Sequence, residues 1–520
     1  MKYKRKAETW KEVEEISIDW SCGCWWDDID RVVSRLLYRN RGDSDVKTKF
    51  LFGFAIIFVI TLLVYWPSFW HLFRGETYIY FLNTQGYDSV GSLISHFYNY
   101  EKVRIFEPGD TLLFRPLLFT IIGTEKALFG ANYVYWHITA LFLHLVATFC
   151  LFRLLWKIRA GILAVLVTVV FSTMYMIINT VLYEQVVPYM LFTALVLTAL
   201  YYLDTKPAIT LACMLAASFI HEVGIPFAVL MALYLWLKDK KRWGLAISAV
   251  PLVYLAVYIP QKLISPPLLM ASDAGSLLQF RNIWVGLSSA SILMGTWFFQ
   301  VVFPSAFTLK PLPGLIYYPA QIVTTSVSVL TLLVFVNLVA FLIMARPILA
   351  SLLGKVRWVA KEESALFSKL LLCMLLVFIL VVSFFRAGTH GIGYVVNHNF
   401  GSYIALSLFV VLAYTLVKDI QFQGRQLKYV VASLLFLIVV SAPKTLMTNY
   451  QIMDSGRPIR VYLQNQSQYV VSDVVALQRA LTIRTFAGSP SNPEYYYFSI
   501  PQILDEVKGG LWQRQSISIK

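Results

Sequence analysis

The sequence is poor in charge. Charged residues make up 14% of the chain, against about 25% in ordinary soluble domains. That shortage argues against the row of water-soluble domains that 520 residues would otherwise suggest. Acidic residues are the scarcer kind, 29 against 44 Lys and Arg, which leaves a formal net charge of +15. Cysteine is sparse as well. Cys22, Cys24, Cys150, Cys213 and Cys373 are scattered, three of them in apolar runs, and outline no disulfide framework. Cys22-Gly23-Cys24 has one intervening residue, a poor match to zinc-site spacing. There is no GxxxxGK[ST] phosphate loop, no HExxH and no CxxC pair, which argues against ATP-driven transport by this chain alone. Few acidic residues fall inside the apolar runs, a weak argument against an ion-coupled transporter. The N-terminus does not read as a cleavable signal peptide, because no short apolar core follows a charged start.

What the chain has instead is apolar length. Its residues are 58% hydrophobic and 15% aromatic, with a mean hydropathy of +0.64. Leu51–Trp66, Val134–Trp156 and Ile322–Ala345 approach or exceed the roughly 18–20 apolar residues that cross a bilayer. Backbone groups in lipid must be paired within their own segment, so the expected fold is an all-α polytopic membrane bundle. The spans expected are 51–69, 132–156, 160–180, 187–203, 207–221, 224–238, 243–261, 321–345, 368–385, 400–417 and 427–442, about eleven in all. Segment 284–305 is apolar but diluted by Ser and Gly, and reads as re-entrant or interfacial within a long outer loop, 262–320.

Lys and Arg concentrate in Lys2–Lys6, Arg31–Lys49, Arg153–Arg159, Lys238–Arg242, Arg346–Lys369 and Lys418–Lys428. With the N-terminus cytoplasmic, all of these fall on one face, as the positive-inside rule requires. The net charge then meets anionic membrane lipids rather than nucleic acid, since no basic stripe lies outside a juxtamembrane position. The expected domains are a cytoplasmic N-terminal segment 1–49, a transmembrane domain 50–445 and a small outer-face C-terminal domain 446–520. In the first, Trp20, Trp25, Trp26, Ile29, Val32, Val33 and Leu36 suit an amphipathic helix lying on the membrane. The last has helical period over Val470–Ala480 and strand-like Tyr495–Phe498, and reads as α/β.

The candidate chemistry collects on the outer face. The first outer loop, 71–130, holds Glu76, Asp88, His96, Glu101, Asp110 and Arg115. A carboxylate just past a span end, as Glu76 is, lies where a lipid headgroup meets water and where a general base would serve an incoming hydroxyl; the bland alternative is a solvated loop residue. Arg115, at the mouth of the bundle, suits bidentate pairing with phosphate, or snorkelling to headgroups. His137 and His144 share one helix face, and His144 serves either a phosphate or a neighbouring helix. Glu184 and the His221-Glu222 pair lie in short outer turns that can converge with Glu76. Arg386, His390, Tyr394, Asn397, His398 and Tyr403 flank a late span and suit the far wall of the same site.

These pieces together resemble the GT-C glycosyltransferases. The stretch carrying the resemblance is Glu76, Phe114-Arg115-Pro116-Leu117, Leu128-Phe129-Gly130-Ala131-Asn132, Tyr135-Trp136-His137 and Leu143-His144. It is most similar to the branch holding bacterial membrane glycosyltransferases and the membrane part of tetratricopeptide-repeat O-mannosyltransferases. Glu184, His221-Glu222 before Pro226, and Asn397–Tyr403 resemble further pieces of that branch. The resemblance spans roughly residues 50–445. It implies a bacterial plasma-membrane enzyme of cell-envelope glycan biosynthesis. Such an enzyme moves a sugar from a polyprenyl-phosphate donor to a glycan, lipid or protein acceptor on the outer face, with inversion. By the same resemblance Glu76 is the base, Arg115, His144 and His221 hold the donor phosphate, and Glu184 and Glu222 orient those groups. The family usually has Asp where this chain has Gly75-Glu76, which keeps Asp88 and Asp110 open as the base. No cofactor is implied with certainty; a divalent cation held by Glu76, Glu184 and Glu222 stays open. The competing readings are a flippase or exporter of lipid-linked glycans, which needs a polar path through the bundle, and a non-catalytic membrane scaffold.

Overall fold

The structure is a computed structural model that describes residues 43–71, 115–129, 132–174, 177–182, 187–264, 363–390, 399–417 and 424–455. Of these, 92% are helical, and there is no strand among them. The chain separates into two units, Met1–Lys49 and Phe50–Lys520. The described part of the first is the opening of a helix, α1 (Asp43–Tyr65).

A short 3₁₀ turn, Trp66–Trp70, follows α1. The remaining helices are α2 (Pro116–Phe129), α3 (Tyr133–Ile158), α4 (Ile162–Thr173), α5 (Ile178–Leu182), α6 (Val187–Tyr202), α7 (Pro207–Ile220), α8 (Gly224–Leu237), α9 (Lys241–Ser248), α10 (Val250–Ile264), α11 (Glu363–His390), α12 (Asn399–Val417) and α13 (Gly424–Ser455). Four stretches among the described residues are long and apolar enough to cross a membrane: Val46–Trp70, Tyr133–Ile158, Lys241–Pro260 and Leu427–Tyr450. Shorter apolar helices stand between them, including α4, α6, α7 and α8. The chain is therefore a helical membrane protein. Helices α7 and α8, of 14 residues each, reach only about 21 Å, against about 30 Å of hydrocarbon.

Three details depart from the expected spans. Segment 116–129, expected as loop, is helix α2, with Leu118, Ile122 and Glu125 buried along one face. That spacing of four and three residues is the stripe of a helix. The expected span 160–180 breaks at Met174, whose backbone is extended. The last helix runs on through Pro443 to Ser455, past the boundary at 445. The expected span 321–345, segment 284–305, the amphipathic N-terminal stretch 20–36 and the strand-like 495–498 lie outside the described residues.

Helix α4 is the centre of the packing, buried on nearly every side from Leu163 to Thr173. A helix that is apolar all round belongs in a core. Its break at Met174 strands two carbonyls, and each unmet carbonyl in an apolar interior costs several kcal/mol. Side chains from other helices meet both. His144 Nε2 donates to the Ser172 carbonyl at 3.0 Å. Ser441 and Thr445 hydroxyls donate to the Thr173 carbonyl at 3.2 and 2.8 Å.

Contacts between α3 and α6 fix their register. Cys150 meets Thr198, Arg153 meets Tyr202 and Lys157 meets Tyr201, so the two helices run side by side in the same direction. The end where α3 starts is called upper here and the end where it finishes lower. In this register Tyr189 is level with about Leu141, which sets it roughly 12 Å below the upper start of α3. Above it, the rim is tied by polar links. His137 Nε2 donates to the His71 carbonyl at 3.1 Å, His71 Nε2 meets the Asn449 carbonyl at 2.9 Å, and Asn449 Nδ2 donates to the Val64 carbonyl at 2.9 Å. Trp66 packs edge-on against Trp70 and Tyr450 at this rim, the aromatic placement typical of a membrane–water boundary.

Candidate functional site

The site forms where three separated parts of the chain meet below the upper rim: Arg115 just before α2, Tyr189 in the first turn of α6, and the turn His221–Val223 between α7 and α8. The turn is made by close approach. A Cβ on Gly224 would lie 2.7 Å from the Ser218 backbone nitrogen and 2.8 Å from its Cα, so no larger residue fits without moving backbone. His221 ends α7 with its N–H on the Ala217 carbonyl at 2.9 Å, and Gly224 N–H returns to the His221 carbonyl at 2.9 Å. Pro226 falls in the first turn of α8, where its missing N–H would have had no helical partner. The turn therefore holds His221 and Glu222 rigidly at the bundle end.

Arg115 is only 6% exposed and is clamped on several sides. Its Nε donates to Glu222 Oε2 at 2.7 Å and its Nη2 to Glu222 Oε1 at 2.6 Å, a bidentate fork. Its Nη1 donates to the Tyr189 hydroxyl at 2.6 Å. His221 Nε2 lies 3.4 Å from Nη2. Burial opposes ionisation of Glu222, but the Arg115 charge and the Arg115 hydrogen bonds outweigh it and hold the carboxyl well below the usual carboxylate range. Such a carboxylate is a weak base. Glu222 thus positions Arg115 and is poorly suited to take a proton from an acceptor.

His221 is the one member with a choice. Val223 N–H donates to its Nδ1 at 3.2 Å, which places the neutral ring's proton on Nε2, facing Arg115. The Arg115 contact asks for the opposite tautomer. A neutral ring satisfies one contact at a time, so His221 can turn its Nε2 between donor and acceptor roles. Its ring packs edge-on against Tyr189 at 5.4 Å between centroids and tilted against Phe192 at 5.7 Å.

Of the residues singled out by sequence, Arg115, His221 and Glu222 come together. His144 belongs to a different network, deeper in the bundle. It is fully buried, donates through Nε2 to Ser172 and accepts at Nδ1 from the Tyr403 hydroxyl at 2.8 Å. Both of its ring nitrogens are engaged by neighbouring helices. Arg386 and His390 lie in α11. Glu76, Asp88, Asp110, Glu184 and His398 lie outside the described residues. One residue joins the site without having been expected. Tyr189 sits in an apolar helix and reads as core in the sequence. Glu125, 4% exposed, lies on the buried face of α2 about 15 Å along the helix from Arg115, outside the cluster. Among the described residues no group of three or more His, Cys, Asp or Glu comes together as a metal site.

Compared with known proteins, the chain matches no family model, no curated protein and no solved structure.

Proposed function

We propose that the chain is a multi-pass membrane glycosyltransferase of GT-C type, transferring a sugar from a polyprenyl-phosphate donor to an acceptor on the face at its upper end. The observation that carries this reading is the convergence of Arg115, Tyr189, His221 and Glu222 from three separate elements into one preorganised charged cluster, recessed from the rim and directly following in sequence the segment that holds Glu76, Asp88 and Asp110. A helix bundle has no structural need to spend a bidentate ion pair, a tyrosine and a histidine at one helix turn. An enzyme that must steady a phosphate leaving group does.

In the reaction, an acceptor hydroxyl attacks the anomeric carbon while the bond from that carbon to the phosphate oxygen breaks. The phosphate leaves on its lipid with an added negative charge, and a carboxylate takes the hydroxyl proton. Glu222 is unsuited to the last task, so the base is assigned to the carboxylates preceding Arg115 in sequence, Glu76 first, with Asp88 and Asp110 as alternatives. The Arg115–Glu222 fork fixes the donor groups of the cluster in place, and His221 offers its Nε2–H to the departing phosphate. Apolar flanks of the bundle support the polyprenyl tail. The cationic end, below, is then cytoplasmic.

The test is sugar release or transfer from a labelled panel of polyprenyl-phosphate sugars by the purified chain. Turnover that Glu76→Gln abolishes and His221→Gln slows at least tenfold supports the assignment. Turnover insensitive to Glu76→Gln moves the base to Asp88 or Asp110. Lipid-linked glycan that is bound and moved across vesicles without cleavage overturns the enzyme reading in favour of a flippase. Binding without either outcome leaves a scaffold.

A further inference from the structure

The lower end of the bundle concentrates positive charge beyond what its own groups neutralise. Arg153 and Lys157 end α3, Lys206 precedes α7, and Lys238 and Lys240 follow α8. Two carboxylates stand among them: Asp239, exposed and 3.9 Å from Lys241 Nζ, and Asp204. Asp204 takes Lys238 Nζ on Oδ1 at 3.0 Å, with Lys240 Nζ at 3.8 Å. Lys157 lies within electrostatic reach of Arg153, Lys238 and Lys240 as well as of Asp204. Three helices, α3, α6 and α8, finish here and three, α4, α7 and α9, start here, so the partial charges of their ends offset one another. Counting Lys241, six cations face the two carboxylates Asp204 and Asp239 here, so positive charge is in excess.

These cations are fixed rather than loose. The Arg153 guanidinium lies over the Tyr201 ring at 4.1 Å and donates through Nη2 to the Tyr202 hydroxyl at 2.8 Å. Lys157 Nζ donates to the Tyr201 carbonyl and sits 4.8 Å from the Tyr201 ring. Lys240 Nζ donates to the Asp204 carbonyl, and Lys206 Nζ lies over the Tyr202 ring at 5.8 Å. A snorkelling side chain is mobile and follows the headgroups. Here the tyrosines and turn carbonyls hold like charges side by side, at a cost that an anion between them would offset. With 26 residues, α3 measures about 39 Å against about 30 Å of hydrocarbon, so its last turns reach the headgroup layer.

We propose that Arg153, Lys157, Lys206 and Lys240, cradled by Tyr201 and Tyr202, form a discrete binding site for the phosphodiester headgroup of an anionic phospholipid, distinct from the Arg115–Glu222 cluster. Arg153 supplies the planar fork and the lysines supply point charge, the division of labour usual at phosphate sites.

The test titrates the delipidated full chain in detergent with cardiolipin, phosphatidylglycerol, phosphatidylcholine and, separately, inorganic phosphate, read by native mass spectrometry and thermal shift. The site predicts a saturable adduct with the two anionic lipids, bound at least about tenfold more tightly than phosphatidylcholine. Arg153→Gln with Lys157→Gln removes it, and Lys241→Gln, at an exposed lysine outside the cradle, keeps it. Equal binding of phosphatidylcholine, or equal loss in Lys241→Gln, overturns the site. Full displacement by millimolar inorganic phosphate overturns the lipid assignment in favour of a free anion. If the double variant does not fold, Arg153→Lys serves: it keeps the charge but loses the fork, and an affinity unchanged in it overturns the role of the cradle.

Discussion

The upper and lower ends of one helix, α6, handle charge in opposite ways. At its start, Tyr189 completes a cluster in which Arg115 and Glu222 cancel through two short bonds. At its finish, Tyr201 and Tyr202 support cations that outnumber the nearby carboxylates. In both places a tyrosine pins a basic side chain, yet one end is internally balanced and the other waits for a counter-charge. The difference shows how a chain with so few charges distributes them: balanced where they are buried, because an unpaired buried ion is costly, and in excess where headgroups can answer them.

Breaking the upper balance has the largest expected effect. Glu222→Gln leaves Arg115 buried with half its fork unmatched, at an expected cost of about 3–5 kcal/mol, measured by thermal or denaturant unfolding in detergent. Arg115→Met with Glu222→Gln removes the stranded charge and recovers much of that loss; a double-mutant cycle that shows no coupling would sink the account. The same pair sets a pH signature. The folded carboxyl of Glu222 is held well below its ordinary value, so its contribution is fully present above the unfolded value of about 4.3. It is lost as pH falls through the folded value, lower still. Wild-type unfolding from pH 7 to about 4.5 should show no loss traceable to Glu222, and the gap between wild type and Glu222→Gln should narrow only in stronger acid.

Gly224→Ala comes next. The added Cβ meets Ser218 backbone atoms, which cannot swing aside as a flexible side chain would. The expected cost is about 1–3 kcal/mol, with loss of the Arg115–Glu222 register seen as a reduced coupling in the same cycle. Tyr189→Phe is smaller, about 1.5 kcal/mol for one hydrogen bond to a charged group. It tests whether the tyrosine hydroxyl, rather than its ring, aligns the guanidinium.

How far the sequence anticipated this depended on whether a feature is local. Arg115, His221 and Glu222 stood out because polar residues at the ends of apolar helices have few neighbours to explain them. Tyr189 did not, since a tyrosine inside an apolar run looks like any other core aromatic, and only the fold brings Arg115 beside it, 74 positions away. Helix α2 was missed because its 14 residues fall short of a span, and Glu125 and Lys126 dilute them within a polar loop. The break in α4 has no local cause such as Pro or Gly around Ser172–Met174. It is held open by His144, Ser441 and Thr445 from other helices. The same distance effect explains His144, which sequence left open between a phosphate and a neighbouring helix, and which the structure gives to Ser172.

The smallest effect is expected from the lower end, and its sign is informative. Asp204 is about one-third exposed and pairs with Lys238, so its replacement by Asn should cost at most about 1 kcal/mol, as partly exposed pairs do. Were the lower cluster simply a network of ion pairs, losing this carboxylate would weaken everything there. Were it an anion site already in excess of positive charge, Asp204→Asn would add to that excess. It would then tighten the anionic-lipid adduct while barely moving stability in detergent, and anionic lipid would restore the small loss. Unfolding of Asp204→Asn with and without cardiolipin separates the two: a larger cardiolipin-induced shift than in wild type marks an unfilled anion site, and an equal or smaller shift marks a self-sufficient network.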